Sequence, residues 1–181
     1  REAAASLDEK KPIAIHHHLI QGLLKPPVWP LPKENRQELV TSLKMSKSKP
    51  DSAVFIHDEP DEIRRKVNNA FCPEGEVEFN PILDWVKHLV LYNQGVNVTH
   101  NQGVQNSQNS LIVNRKSEHG GNIEYQNYED LEKDYAEKKL HPQDLKNAVA
   151  DWLIRKLEPA RKYFEDPKRK KALEEITNLT P

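Results

Sequence analysis

Apolar residues recur every three or four positions through most of the second half of the chain, which is the pattern of amphipathic helices that share one core. The longest such pattern begins at His141-Pro142, and its apolar positions are Leu145, Val149, Trp152, Leu153, Leu157 and Ala160. Proline in a first turn predicts further helices from Asp58-Glu59-Pro60, Asn80-Pro81 and Asp166-Pro167. Another helix is predicted over 128–139. The last helix is expected to add Leu173 and Ile176 to the same core.

Short apolar runs predict a few strands. The runs over 11–20 and 53–56 are rich in isoleucine, valine or phenylalanine and predict two strands, the first of them buried. Between them, four prolines within residues 25–32 predict a stiff extended connection. Later, the runs 111–115 and 123–125 lie on either side of two adjacent glycines and predict a small hairpin among the helices.

Composition narrows the class of protein. The chain has 181 residues, of which 36% are hydrophobic and 30% charged, with a net charge of -1. No run approaches the roughly 20 apolar residues that cross a bilayer, so no membrane partner is expected. The single cysteine, Cys72, excludes an internal disulfide and a multi-cysteine zinc site, which fits a reducing compartment. With no signal-peptide pattern at Arg1, we expect a cytoplasmic protein.

One polar segment is informative in its order as well as its composition. Lys44-Met45-Ser46-Lys47-Ser48 places two ammonium groups and two hydroxyls together, with no acid before Asp51. Lysines and loop N–H groups bind phosphate oxygens, so the segment is suited to a polyphosphate. From charge alone, a solvated surface loop is the stronger interpretation.

The run His16-His17-His18 resembles a metal-binding motif. Neighbouring side chains in a strand point to opposite faces, so at most two of these three imidazoles could share one ligand. We therefore expect no metal site.

Lys44-Met45-Ser46-Lys47-Ser48 matches the signature loop of class I aminoacyl-tRNA synthetases at all five positions. Other segments resemble the C-terminal half of an archaeal/eukaryotic-type tyrosyl-tRNA synthetase. They are His16-His17-His18-Leu19-Ile20-Gln21-Gly22-Leu23, Asp58-Glu59-Pro60-Asp61-Glu62-Ile63, Ala70-Phe71-Cys72-Pro73-Glu74-Gly75, His119-Gly120-Gly121, Tyr128-Glu129-Asp130-Leu131-Glu132 and His141-Pro142-Gln143-Asp144-Leu145-Lys146-Asn147-Ala148-Val149-Ala150. The Asn/Gln-rich tract 93–110 departs from the family pattern and is interpreted as a loop insertion.

The resemblance implies a fold in two parts. Residues 1–58 would be the α/β end of a Rossmann-type catalytic domain, and residues 59–181 a mostly α-helical anticodon-binding domain with a small hairpin. The family also needs a His-Ile-Gly-His-like motif, and these residues contain none. We therefore expect a C-terminal portion of the enzyme that is inactive by itself and that would dimerise through the missing half.

The chemistry implied is the ATP-dependent joining of tyrosine to tRNA(Tyr), with Mg²⁺ accompanying the ATP. By similarity, Lys44 and Lys47 would be the catalytic residues, because they would stabilise charge on the phosphates. Met45, Ser46 and Ser48 would complete the ATP-binding loop. Phosphoryl chemistry depends mainly on positioning and electrostatic stabilisation, which agrees with these roles.

The resemblance also assigns residues to anticodon recognition: His141, Pro142, Gln143, Asp144, the stacking candidate His119 and nearby Cys72. Unstacked bases are read by stacking on flat side chains and by hydrogen bonds to their edges. Without the resemblance, Asp144 is a favourable partner for a helix dipole and Pro142 a first-turn residue.

Two alternative functions stay open. A tryptophanyl-tRNA synthetase fragment would share the fold and the signature loop, although Cys72-Pro73-Glu74-Gly75 and the segment 141–147 fit the tyrosyl family better. A non-catalytic tRNA-binding module would keep the recognition helices without the chemistry.

Overall fold

The computed structural model describes residues 13, 17–30, 32, 34, 41–92 and 110–179. Its elements are α1 (Pro60–Asn69), α2 (Pro81–Trp85) with a π-helical continuation over Val86–Val90, β1 (Leu111–Val113), β2 (Ile123–Tyr125), α3 (Tyr128–Ala136), α4 (Pro142–Phe164) and α5 (Pro167–Leu179). The prediction that the chain after residue 58 is mostly helical with one small hairpin is confirmed for the described residues. Within the described part of the chain, every helix is too short or too polar to span a lipid bilayer.

Helix α4 is the central element, because α1, α2 and β1 all pack against it. Its predicted apolar stripe is confirmed at Leu145, Val149 and Leu153, which are buried, while Trp152 and Leu157 lie at the edge of the core. The side chains that are fully buried with them come from all parts of the described chain: Leu23, Ile63, Val67, Ile82, Leu83, Val86, Leu131 and Tyr135.

Local capping signals determine where two of the helices begin. The side chain of Asn80 accepts hydrogen bonds from the backbone N–H groups of Ile82 and Leu83 at 3.1 and 3.3 Å, and Pro81 occupies the first turn. Asn127 caps α3 in the same way. Such caps satisfy N–H groups that have no partner inside the helix.

The hairpin is antiparallel, with Leu111 opposite Tyr125 and Val113 opposite Ile123. Its turn contains Gly120 and Gly121 at φ angles of 90° and 73°. Side chains disfavour this left-handed region, so glycine allows the turn to form.

The predicted strand over 53–56 is wrong. These residues are irregular, and the N–H of Phe55 donates to Oδ2 of Asp58 at 2.8 Å, which closes a turn. A strand needs a hydrogen-bonding neighbour, and among the described residues this run has none. Residues 17–20 are also irregular, and the rest of the first predicted strand, apart from Ile13, lies outside the described residues. The Rossmann part of the fold stays a prediction.

The prediction that Ile176 joins the core is also wrong, since this side chain is 62% exposed. Helix α5 packs against α4. It follows a turn at the end of that helix, beyond the buried stripe, so little of its surface reaches the core.

Asp58 lies just before the capping residue of α1 and has a structural role of its own. Glu59 occupies the cap position of α1, and the Asp58 carboxylate forms an ion pair with Lys66 at 2.6 Å. The two side chains are only 8% and 2% exposed, and the Lys66 ammonium also lies 4.5 Å from the centre of the Phe55 ring. The carboxylate of Glu62 is 3.8 Å from the same ammonium, too far for a hydrogen bond.

We expect Asp58→Ala to lower the free energy of unfolding by about 3–5 kcal/mol, because it leaves the Lys66 ammonium buried without its partner. Urea denaturation measures this change. Asp61→Ala is the matched control, since Asp61 is an exposed carboxylate in the first turn of the same helix. Equal unfolding midpoints for the two variants would contradict the structural role of the pair.

Candidate anion-binding loop and basic pocket

The segment 44–48, here called the lysine loop, is held at its base by the chain around Gly22. Gln21 pairs with Lys44 in an isolated antiparallel bridge, and the N–H of Gly22 donates to the carbonyl of Leu43 at 2.6 Å. A Cβ atom at position 22 would lie 2.9 Å from that carbonyl oxygen, so this close approach requires glycine.

The interior of the loop is a tight turn closed by hydroxyl groups. The N–H of Lys49 donates to the carbonyl of Ser46 at 3.1 Å, and the hydroxyls of Ser46 and Ser48 are 2.9 Å apart. Ser52, which is 3% exposed, accepts from the N–H of Ser46 and donates to its carbonyl. Sequence reasoning did not identify Ser52, because its contribution depends on how the chain turns back.

Both lysines of the loop are exposed, and among the described residues neither is paired with a carboxylate. Lys44 and Met45 line a cavity of about 780 Å³, whereas Lys47 lies outside this cavity. The loop therefore presents two ammonium groups that are free to meet an anion.

A second cavity, of about 430 Å³, is here called the basic pocket, and it is lined by Arg115, His119, Lys138, Lys139, His141 and Asp144. Three of the residues predicted for anticodon recognition, His119, His141 and Asp144, meet in this pocket. They come from the hairpin turn and from the start of α4. The structure thus brings together residues that are more than twenty positions apart in the sequence.

The pocket is shaped by the start of α4. His141 is the capping residue, and its Nδ1 accepts from the N–H of Gln143 at 3.1 Å, while Pro142 occupies the first turn. The Gln143 amide donates to the side-chain oxygens of Asn68 and Asn147, both at 3.0 Å. Gln143 therefore supports the contact between α4 and α1 and does not line the pocket.

Arg115 joins the two turns that form the wall of the pocket. Its Nε donates to the carbonyl of Gly121 at 3.0 Å, and one guanidinium nitrogen donates to the carbonyl of Lys139 at 3.1 Å. The Glu137 carboxylate, 2.5 Å from Lys139, raises the pKa of that lysine. The wall of the pocket is therefore cationic at neutral pH.

Asp144 is the single carboxylate that lines this pocket. It is half-buried, and no side chain or backbone N–H of the described residues donates a hydrogen bond to it. Its oxygens can therefore accept hydrogen bonds from a ligand.

Cys72 lies apart from the residues that line the basic pocket. Its sulfur is 3.1 Å from the Tyr135 hydroxyl, which itself donates to the carbonyl of Pro73 at 2.8 Å. Burial raises the pKa of the Cys72 thiol. The surroundings of this residue are those of the core, and its role in tRNA binding stays a prediction.

The model of the family "tRNA synthetases class I (W and Y)" matches residues 24–158. The chain belongs to this family. The tyrosine–tRNA ligase of Pyrococcus furiosus is 50% identical over 159 residues, which are 87% of this chain and 39% of that ligase. The ligase of Aeropyrum pernix is 40% identical over 177 residues, 97% of this chain and 45% of that ligase. The chain thus spans about two fifths of the length of the curated relatives it matches.

Solved structures of class I synthetases share the fold. The tyrosyl-tRNA synthetase of Pyrococcus horikoshii, complexed with L-tyrosine, superposes with a TM-score of 0.78 at 47% identity, covering 92% of this chain and 41% of that protein. The enzyme of Aeropyrum pernix gives a TM-score of 0.69 at 37% identity, covering 98% of this chain and 43% of that protein. The resemblance stated from the sequence is confirmed.

Because burial raises its pKa, the Cys72 thiol of this synthetase chain carries little thiolate at neutral pH. We expect alkylation by iodoacetamide to be much slower in the folded chain than in the same chain unfolded in urea. The folded rate should rise only above the ordinary thiol pKa of about 8.5. Mass spectrometry of timed samples measures both rates, and equal rates at neutral pH would contradict a buried thiol.

Proposed function

We propose that this chain acts as the C-terminal part of a tyrosine–tRNA ligase. In this proposal the lysine loop serves the activation of tyrosine by ATP, and the basic pocket serves the recognition of tRNA(Tyr). The supporting observation is that a complete signature loop and a cationic pocket with one free carboxylate occur together in a chain of the class I family. Relatives 40% and 50% identical to it carry the name tyrosine–tRNA ligase.

In the activation step, the carboxylate of tyrosine attacks the α-phosphate of ATP and pyrophosphate leaves. Negative charge then grows on the departing phosphates. Lys44 and Lys47 would stabilise that charge, since neither is engaged by a carboxylate among the described residues. The fixed base of the loop at Gly22 would position both ammonium groups, while the exposed tip is free to approach the phosphates.

ATP would enter with Mg²⁺ bound to its phosphates. The lysine loop offers hydroxyls and ammonium groups but no carboxylate, and the nearest acid in the sequence, Asp51, is paired with Arg65. Mg²⁺ prefers carboxylate, phosphate and water oxygens. The ion would therefore belong to the substrate, and the loop would contact phosphate oxygens.

The basic pocket would receive an unstacked base of the anticodon. The imidazoles of His119 and His141 offer flat faces for stacking, and Asp144 can accept hydrogen bonds from the N–H groups of guanine. Arg115, Lys138 and Lys139 would contact the adjacent phosphates. Pro142 and Gln143 would support this surface from the first turn of α4.

The same proposal includes tyrosine as a substrate. Tyrosine would bind in the catalytic half of the enzyme, and the His-Ile-Gly-His-like motif of that half does not occur in these residues. It also includes a homodimer formed through that half and a cytoplasmic location, where tRNA is charged.

We expect Asp144→Ala to weaken tRNA(Tyr) binding by about 1–3 kcal/mol, because it removes a contact to a base edge. Changing the first anticodon base should weaken binding by the same amount in the unsubstituted chain and by much less in the Asp144→Ala variant, because the two changes remove the same contact. Filter binding at fixed salt measures these affinities. Asp61→Ala, an exposed carboxylate on α1, is the matched control. Equal, steeply salt-dependent binding of tRNA(Tyr), its base variant and tRNA(Trp) would contradict base recognition.

In the full-length gene product, we expect Lys47→Ala to slow tyrosine-dependent ATP–pyrophosphate exchange by about 10²–10³-fold, the usual effect of losing one charged contact to a transition state. Binding of tRNA should be unchanged. Lys49→Ala is the control, because Lys49 is an exposed lysine immediately after the loop. Similar losses of exchange rate in Lys47→Ala and Lys49→Ala would show that the effect comes from removing any positive charge and not from a specific contact of Lys47.

A further inference from the structure

Three side chains of metal-ligand type converge beside the cavity of about 780 Å³. They are His18 from the segment before the lysine loop, Asp84 in α2 and His88 in the π-helical continuation of α2. One ligand atom from each lies within 4.8 Å of the other two. This group is here called the His–Asp–His cluster.

The distances in the cluster fit a small divalent ion. The Nε2 atoms of His18 and His88 lie 2.7 and 3.8 Å from the same oxygen, Oδ1 of Asp84. In a tetrahedral zinc site, bonds of about 2.0–2.1 Å separate neighbouring ligand atoms by about 3.3 Å. The two imidazoles are stacked with their centres 3.7 Å apart and their planes at 17°, so the rings would have to turn out of this stacked arrangement for both nitrogens to face one ion.

The carboxylate of the cluster is already fixed in place. Asp84 has a side chain that is 7% exposed, and its second oxygen accepts from the N–H of Gln21 at 2.9 Å. The indole N–H of Trp85 donates to the carbonyl of Gln21 at 2.7 Å. Hydrogen bonds of this kind orient metal ligands before the ion binds. Oδ1 is hydrogen-bonded to Nε2 of His18 at 2.7 Å, and both atoms would exchange this hydrogen bond for a bond to the ion.

His88 supplies a nitrogen that makes no hydrogen bond within the described ranges 17–30, 41–92 and 110–179. At 3.8 Å its Nε2 is too far from Asp84 for a hydrogen bond, and no hydrogen bond from the described part of the chain reaches it. The turn that carries it is π-helical, a geometry common at functional sites.

The lysine side chains near the cluster do not exclude a metal ion from it. Lys44 and Lys87 also line the cavity. The ammonium of Lys87 lies over the Tyr128 ring, 4.8 Å from its centre. Glu129 lines the same cavity and contributes a compensating negative charge.

We propose that His18, Asp84 and His88 bind a Zn²⁺-like transition-metal ion, with water completing the coordination. Two imidazoles and one carboxylate are ligands that suit zinc and its neighbours, whereas Mg²⁺ and Ca²⁺ prefer oxygen alone. The inference is independent of the proposed ligase function.

Such an ion would join the segment before the lysine loop to helix α2. Gln21 is bonded to α2 and also pairs with Lys44 at the base of the loop. The ion would therefore stabilise the base of the lysine loop without taking part in its contacts to phosphate.

Calorimetric titration of the EDTA-treated full chain with ZnCl₂ tests the proposal. We expect one ion per chain, a rise in Tm with zinc, and the visible absorption of tetrahedral Co²⁺ when cobalt replaces zinc. His88→Ala and the more conservative His88→Gln should weaken zinc binding by at least about tenfold and remove the rise in Tm. Circular dichroism and the Tm without metal show whether each variant remains folded.

The adjacent histidines require a control, because a run of neighbouring imidazoles can bind zinc by itself. The double variant His16→Ala/His17→Ala keeps His18 and should bind zinc as the unsubstituted chain does. Binding that survives in His88→Ala and disappears in this double variant would overturn the proposal. Absence of zinc binding by the unsubstituted chain would overturn it as well.

Discussion

Helix α2 holds the segment that leads into the lysine loop through two hydrogen bonds to one residue. The Asp84 carboxylate accepts from the N–H of Gln21, and the Trp85 indole donates to the carbonyl of Gln21. Both side chains are nearly buried, so losing either contact would leave a polar group without a partner in the core. The next residues, Gly22 and Leu23, bond to Leu43 and to Ser52. The position of the lysine loop relative to the helical core therefore depends on this attachment.

A second polar network fixes the position of the chain segments that form the basic pocket. The Tyr135 side chain is fully buried, and its hydroxyl accepts from the Asn80 amide and donates to the carbonyl of Pro73. Asn80 also caps α2. One hydroxyl thus connects α3, the start of α2 and the chain after α1. The turn after α3 supplies Lys138 and Lys139 to the pocket. A buried network of which all members are satisfied specifies a single arrangement.

The elements that sequence predicted correctly are those with local signals. Asn80-Pro81 contains both the cap and the first turn of α2, and the stripe that begins at Leu145 repeats within one helix. The strand expected over 53–56 depended on a distant neighbour, which no local pattern reveals. In the candidate sites, the order of residues 44–48 was informative because it is contiguous. The His–Asp–His cluster was not foreseen, since His18 and Asp84 are separated by 66 positions.

The arrangement of charge in the basic pocket separates affinity from specificity. Arg115, Lys138 and Lys139 attract any phosphate, so on their own they would bind nucleic acids without regard to sequence. In the proposed function, Asp144 would repel phosphate and accept hydrogen bonds from base N–H groups, so it would lower general affinity and favour one kind of base edge. With a net charge of -1, the chain as a whole provides no broad attraction to RNA. Under the proposed function, discrimination would therefore arise in the pocket, where one unpaired carboxylate faces a cationic wall.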